Sequence, residues 1–250
     1  MNLYLLRVGA DITEAGGGFH SPIFNDYSYL FIPIPDSEII PNRALTYGSY
    51  RWNGRSVEKY LPATIKSVPS IKQTIHNDPE FNTFTYGSPR YVKGKKGKQT
   101  EKNYSRLKKL DKGDILAFYA AFRNHECVNH PMNGYYFFSY IIIQRVISYP
   151  NPILLSDADK QLVMNNHHYI HNYPDQVIVV GSKTESRVLD KAVLLSSSIR
   201  DRRVANYYPG QSASMKLGGY NRSLNLSSLR QISSSEAQSF KSYLDCFGFV

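Results

Sequence analysis

The stretch YYFFSYIIIQRVIS, Tyr135 to Ser148, is apolar almost throughout. A run of this kind predicts a central strand covered on both faces, because a strand with one wet face alternates apolar with polar. A second apolar run, Ile115 to Phe122, follows the turn Asp111-Lys-Gly-Asp114 and should pair with it through the loop RNHECVNHPMNG. Residues 2–11, Tyr27–Asp36, Gln176–Gly181 and Val188–Leu195 read as further strands. Pro33 and Pro35 each lack a ladder donor, which puts the Tyr27–Asp36 strand at a sheet edge. Ser156 caps a helix from Asp157 to about Asn166, and Ser233-x-x-Glu236 is a capping box for a last helix to about Cys246. SVEKYLPATIKSV has helical character that Pro62 limits, and residues 196–232, rich in Ser, Asn and Gly, read as loop. No domain boundary stands out. The expected architecture is α+β: a single domain over residues 1–250, a central mixed β-sheet flanked by helices.

Of the chain's net charge of +10, most sits in one place. Between Arg90 and Lys112, ten Lys or Arg face only Glu101 and Asp111, a net +8 in 23 residues. The run over residues 90–112 reads as a loop, broken by Gly94 and Gly97 and interleaved with Tyr91 and Tyr104. Flexible cations with occasional rings suit a polyphosphate partner, since each phosphate neutralised releases counterions. Arg90, Lys93, Lys95, Lys96, Lys98, Arg106, Lys108 and Lys109 are the candidate DNA contacts. Arg200, Arg202 and Arg203, near Tyr207 and Tyr208, make a smaller second patch. The 20 tyrosines are mostly strand and core material. No cationic leader or cleavage region opens the chain, and no run reaches the roughly 20 apolar residues of a membrane helix. A soluble cytoplasmic protein, off the membrane, is expected.

Chemistry points first to the N-terminal loop. Asp11 ends the first predicted strand beside Gly16, Gly17 and Gly18, and Phe19, His20 and Ser21 follow. A strand-end carboxylate beside a glycine loop is where α/β sheets often hold ligands, although an ordinary turn aspartate reads the same. The segment has neither GxGxxG nor a phosphate-binding Gly-Lys-Ser/Thr, and no GxSxG elbow supports a hydrolase triad. His20 suits a general base or a hydrogen-bond donor, and Asp36 can supply a second carboxylate. Two acids flanking a glycosidic bond can stabilise an oxocarbenium-like transition state and activate water. HECVNH, with His125, Cys127 and His130, matches no zinc pattern. NNHHYIH sets His167 and His171 four apart on one helical face without HExxH, a polar helix end able to contact a ligand. Neither is a recognised ligand set, so no metal and no cofactor is expected.

LRVGAD, the glycine loop with SPIF, YLFIPIPD, FTYGSP with its basic continuation, and LDKGDILAFYAAF together resemble the third family of nucleotide-modification-associated domains. The resemblance covers about two thirds of the chain and leaves the Ser-rich C-terminal region unmatched. It implies a DNA-directed role in phage or bacterial systems that make, remove or recognise modified bases. Related antiviral proteins are thought to excise such bases, which implies a DNA glycosylase; Asp11, His20 and Asp36, singled out above from the residues, are its catalytic candidates. Gly16, Gly17, Gly18, Phe19, Ser21 and Tyr86 would then line a pocket for a flipped nucleotide. DKGDILAFY…YIII also resembles PUA-like readers of modified bases, which implies a non-catalytic alternative. A modification-dependent nuclease is the weaker third reading, because no PD-(D/E)xK arrangement is evident.

Overall fold

The structure is a computed structural model and describes residues 1–8, 21–36, 45–61, 74–90, 98–125, 132–197, 199–200, 203–204, 224, 229–232 and 240. Its centre is the predicted pair. Strand β6 (Ile115–Asn124) runs antiparallel to β7 (Gly134–Tyr149), and Ile115 to Phe122 pair with Ile142 to Gly134 across one register shift between Phe118 and Tyr119. Gly134 to Ile143 are all buried, so the uninterrupted apolar pattern does mark a strand covered on both sides.

Period-two alternation divides β6 between two cores. Leu116, Phe118, Ala120 and Phe122 pack on one face, and Ile115, Ala117, Tyr119 and Ala121 on the other. Tyr47, Tyr119, Tyr135, Tyr136 and Tyr140 are among the largest fully buried side chains, as core tyrosines should be.

Among the described residues, eight strands join in one mixed sheet. Its main path runs β12 (Arg230–Ile232), β1 (Leu3–Arg7), β6, β7, β8 (Gln176–Gly181), β5 (Thr85–Pro89). The β1–β6 pair is parallel, and the other neighbours on this path are antiparallel. Strand β2 (Ser21–Ile23) adds in parallel to the far end of β6, and β9 (Arg187–Ser197) pairs with the first half of β7. Two short hairpins, β3–β4 (Arg51–Trp52, Arg55–Ser56) and β10–β11 (Ile199–Arg200, Arg203–Val204), stand apart.

Helix α1 (Lys98–Leu107) packs on β5 and β8. Helix α2 (Asp157–Val163) packs on β8, and α3 (His167–Ile170) on β5. The α+β architecture is the expected one.

Four expectations change. The Tyr27–Asp36 segment is not a strand. It makes isolated bridges at Tyr29 (to Ile23) and Pro35 (to Ile75), since Pro33 and Pro35 cannot donate to a ladder. Its residues are nevertheless largely buried, with Tyr29 to Ile32 inside the core. The helix after Ser156 ends at Val163, because Asn166 caps a separate turn, accepting from the His168 N–H at 3.0 Å. The middle of the basic run is a helix, not a loop: Leu107 and Leu110 give it a buried side under a charged surface. Within residues 196–232, Arg230–Ile232 extend the sheet by pairing with Leu3–Leu5. The capping box at Ser233 lies outside the described residues. Among the described residues, no helix is long and apolar enough to cross a membrane.

Candidate functional site

At the β5 edge of the sheet, three chain segments bring two aspartates and four of the chain's seven histidines together. The first segment ends at Asp36 and the second spans Thr74 to Asp78. Backbone pairing sets their geometry: Asp36 N–H donates to Thr74 O at 2.9 Å, and His76 N–H to Ile34 O at 2.9 Å, around the Pro35–Ile75 bridge. His76 and Asp78 are two residues apart just past the bridge, where Asn77 N–H donates to Ile75 O at 3.1 Å and Asp78 N–H to His76 O at 2.9 Å in two successive tight turns. The third segment is α3, which carries His167, His168 and, just past its end, His171.

Asp36 Oδ2 lies 2.8 Å from His171 Nε2 and 3.3 Å from His167 Nε2. All three side chains are at least nine-tenths buried. The His171 ring stacks on Tyr173 at 5.1 Å, which fixes its orientation. Asp78 is held from two sides. Its Oδ1 accepts from Gly87 N–H at 3.0 Å and from the Asn166 amide at 3.4 Å, and its Oδ2 lies 3.2 Å from His168 Nε2. Nδ1 of His168 is buried with no hydrogen-bond partner. The ring proton therefore belongs on Nε2, facing Asp78, since a buried orphan N–H is the costlier choice.

His76 sits between the two pairs, its ring 4.1 Å from that of His167 and 5.2 Å from that of His168. His76 is intermediate in exposure, and towards each side one of its ring nitrogens lies within 4.8 Å of the ligand atoms there. Burial, then the nearby His168, pulls its pKa down to about 4, against the opposing pull of Asp78 and Asp36. Burial among His76, His168 and His171 drives His167 much lower still. Both rings are neutral at pH 7, and each offers a lone pair. Asp36, His76 and His167 form one potential ligand set, and His76, Asp78 and His168 another.

Strand β5 ties this cluster to the cationic segment. Gly87 holds Asp78, and three residues later, about 10 Å along an extended strand, Arg90 begins the basic run. Arg90 N–H donates to Asp175 O at 2.8 Å, and its guanidinium lies 3.8 Å from Glu101. In the α1 region Lys102, Lys108 and Lys109 are exposed, with the Lys108 ammonium 6.0 Å from the Tyr104 ring. Arg106 donates to the Leu229 carbonyl, joining the helix to the residue before β12. Arg200 and Arg203 face each other across the β10–β11 hairpin.

Of the acids and bases expected from sequence, only Asp36 falls in the described structure, and it lies in this cluster. Asp11, Gly16, Gly17, Gly18, Phe19 and His20 lie outside the described residues, as do Lys93, Lys95, Lys96, Arg202 and the side chain of Lys98. Ser21 is fully buried, its hydroxyl accepting from Ile32 N–H at 2.9 Å. The Tyr86 ring packs 5.5 Å from Phe118 in the core, and burial, then Asp78, raises its hydroxyl pKa well above the usual value. Alternation along β5 puts Tyr86 on the opposite face from Gly87. Sequence reasoning singled out the His167/His171 spacing but missed its partners, His76, Asp78, Asn166 and His168. The signal available was IHNDP, Ile75 to Pro79, a histidine and an aspartate two residues apart.

No curated protein matches the chain. Among solved structures, the N-terminal domain of Thermococcus gammatolerans McrB bound to m5C DNA aligns over 98% of this chain and 98% of its own, at 11% identity. The TM-score is 0.34, and a likeness that slight carries no argument. The family comparison is of another order: the model for nucleotide modification associated domain 3 matches residues 2–223, from the start of β1 to beyond β11. The chain belongs to the nucleotide modification associated domain 3 family.

Proposed function

We propose that this protein binds DNA carrying modified bases and hydrolyses the N-glycosidic bond of a modified nucleotide. One observation supports the reading most: the edge strand that holds the buried carboxylate–imidazole cluster continues directly into the most cationic segment of the chain. Arg90 to Lys112 would grip backbone phosphates, and the modified nucleotide would be turned out of the stack, at a cost of a few kcal/mol. Hydrolysis forms a bond from C1′ to a water oxygen as the C1′–N bond breaks. The Asp36–His171 pair takes the proton from water, and the departing base gains one. Asp11 and His20 are proposed to assist from the glycine loop, with Asp11 facing positive charge developing on the sugar.

The test is incubation of the chain with DNAs that differ only in base modification, followed by mass spectrometry of released bases and alkali treatment for abasic sites. Release of one modified base is expected from the wild type, with loss of release and retained DNA affinity for Asp36→Asn. A wild type that releases no base from any of these DNAs defeats the glycosylase reading. The burial of Asp36, His167 and His171 favours one alternative, a non-catalytic reader. Tight, modification-dependent binding without free base or abasic sites would establish it.

A further inference from the structure

We infer that the cluster is a metal site: Asp36, His76 and His167 hold one ion of the zinc class.

Spacing argues for it first. Tetrahedral ligands about 2.0–2.1 Å from zinc lie roughly 3.4 Å from one another. Asp36 Oδ2 and His167 Nε2 are already 3.3 Å apart, and a His76 nitrogen lies within 4.8 Å of both. Only the His76 side has distance left to close, and His76 is the least buried residue of the three.

The donors fit in kind as well. Two imidazoles and one carboxylate are a borderline nitrogen and oxygen set, suited to zinc or its first-row neighbours and poorly suited to magnesium or calcium. Three protein ligands leave a fourth position for water, the pattern of catalytic zinc sites and not of closed structural ones.

Support around the ligands is the third argument. His171 contacts the Asp36 carboxylate at 2.8 Å, as an orienting partner of a ligating carboxylate does. The Asp36 and His76 backbones are cross-paired, and α3 is fixed by the Asn166 cap. Gathering four imidazoles and two carboxylates out of water is costly, and three Asp–His contacts act against that cost. A dication would add its own attraction for the carboxylates and lone pairs.

The assignment deepens the functional reading of the same site, because zinc lowers the pKa of its water and would take over water activation from a free carboxylate. Binding is independent of that reading and is measured without DNA. The full-length chain, loaded with zinc and dialysed against metal-free buffer, should retain about one zinc per chain by elemental analysis. Cobalt(II) in its place should give the intense visible absorbance of a four-coordinate ion, and added zinc should abolish it. His76→Ala and His167→Ala should each weaken retention at least tenfold, and His168→Ala should leave it unchanged, with circular dichroism confirming the fold.

A wild type that retains no zinc and shows only the weak spectrum of solvated cobalt overturns the site, whatever the variants do. Loss with His168→Ala but not with His167→Ala overturns the ligand set. Metal retained without base release counts against the glycosylase and leaves the site standing. Base release by a wild type that retains no zinc does the reverse.

Discussion

At Gly87, β5 passes close against α3 and its cap. A Cβ there would lie 2.6 Å from His168 Cδ2 and 2.8 Å from the Asn166 side-chain oxygen. Neither neighbour can retreat cheaply, because Asn166 caps α3 and His168 is held by Asp78. Gly87→Ala should therefore cost about 1–3 kcal/mol, the usual range for overpacking, read as a lower urea midpoint with unchanged slope. Tyr29 makes a second residue-scale case. Its hydroxyl reaches the carbonyl oxygens of Leu189 at 2.7 Å and Phe138 at 3.0 Å from within the core, and burial raises its pKa well above the ordinary tyrosine value. Tyr29→Phe removes the donor and keeps the ring. The expected loss is about 1–3 kcal/mol in the same urea experiment.

Two short elements carry most of the site. Four residues are too few for an isolated helix, so α3 depends on its cap and its packing. The Asn166 side chain accepts from His168 N–H and donates to Thr85 Oγ1 at 3.1 Å and Asp78 Oδ1 at 3.4 Å. Asn166→Ala breaks all three contacts at once. A loss of roughly 1–3 kcal/mol is expected, with faster hydrogen exchange at the His168 to Ile170 amides than at β6. Helix α1 makes the opposite kind of prediction. Lys102, Lys108 and Lys109 are exposed, so neutralising them should leave stability nearly untouched. If they contact phosphates, the slope of log Kobs against log salt should fall by up to about 0.9 for each lysine. An unchanged slope would mark α1 as a solvated surface. Arg106, bound to the Leu229 carbonyl, should behave differently from these lysines, and Arg106→Ala should register in stability.

For the whole molecule, the pairing of β12 with β1 brings a segment near the C-terminus beside the N-terminal strand. Ile232 is buried with Leu3, Leu5 and Phe240 in the core on the second face of the sheet. Ile232→Ala should cost about 2–5 kcal/mol in the global unfolding transition, because it opens a cavity in a core shared by both ends of the chain. Removing β12 altogether would leave the β1 edge unpaired, a row of free donors and acceptors prone to association. Light scattering of a chain lacking Arg230–Ile232 should therefore rise at concentrations where the wild type stays clear.

The elements whose evidence is local were readable from residue order. Period and apolarity defined the β6–β7 pair, β8 and β9, and Ser156 marked the start of α2. The density of Lys and Arg located the cationic segment, though the register of Leu107 and Leu110 was hidden among the charges. Asp36 and the His167/His171 pair were visible as separate oddities. Their meeting spans a sequence separation of 135 and depends on a β-bridge made by a proline-broken segment and on one glycine without a side chain. Periodicity records what a residue does with neighbours a turn or a strand step away. Convergence of distant aspartates and histidines is set by sheet order and edge packing, which no local pattern encodes, so the tertiary structure alone decided the cluster.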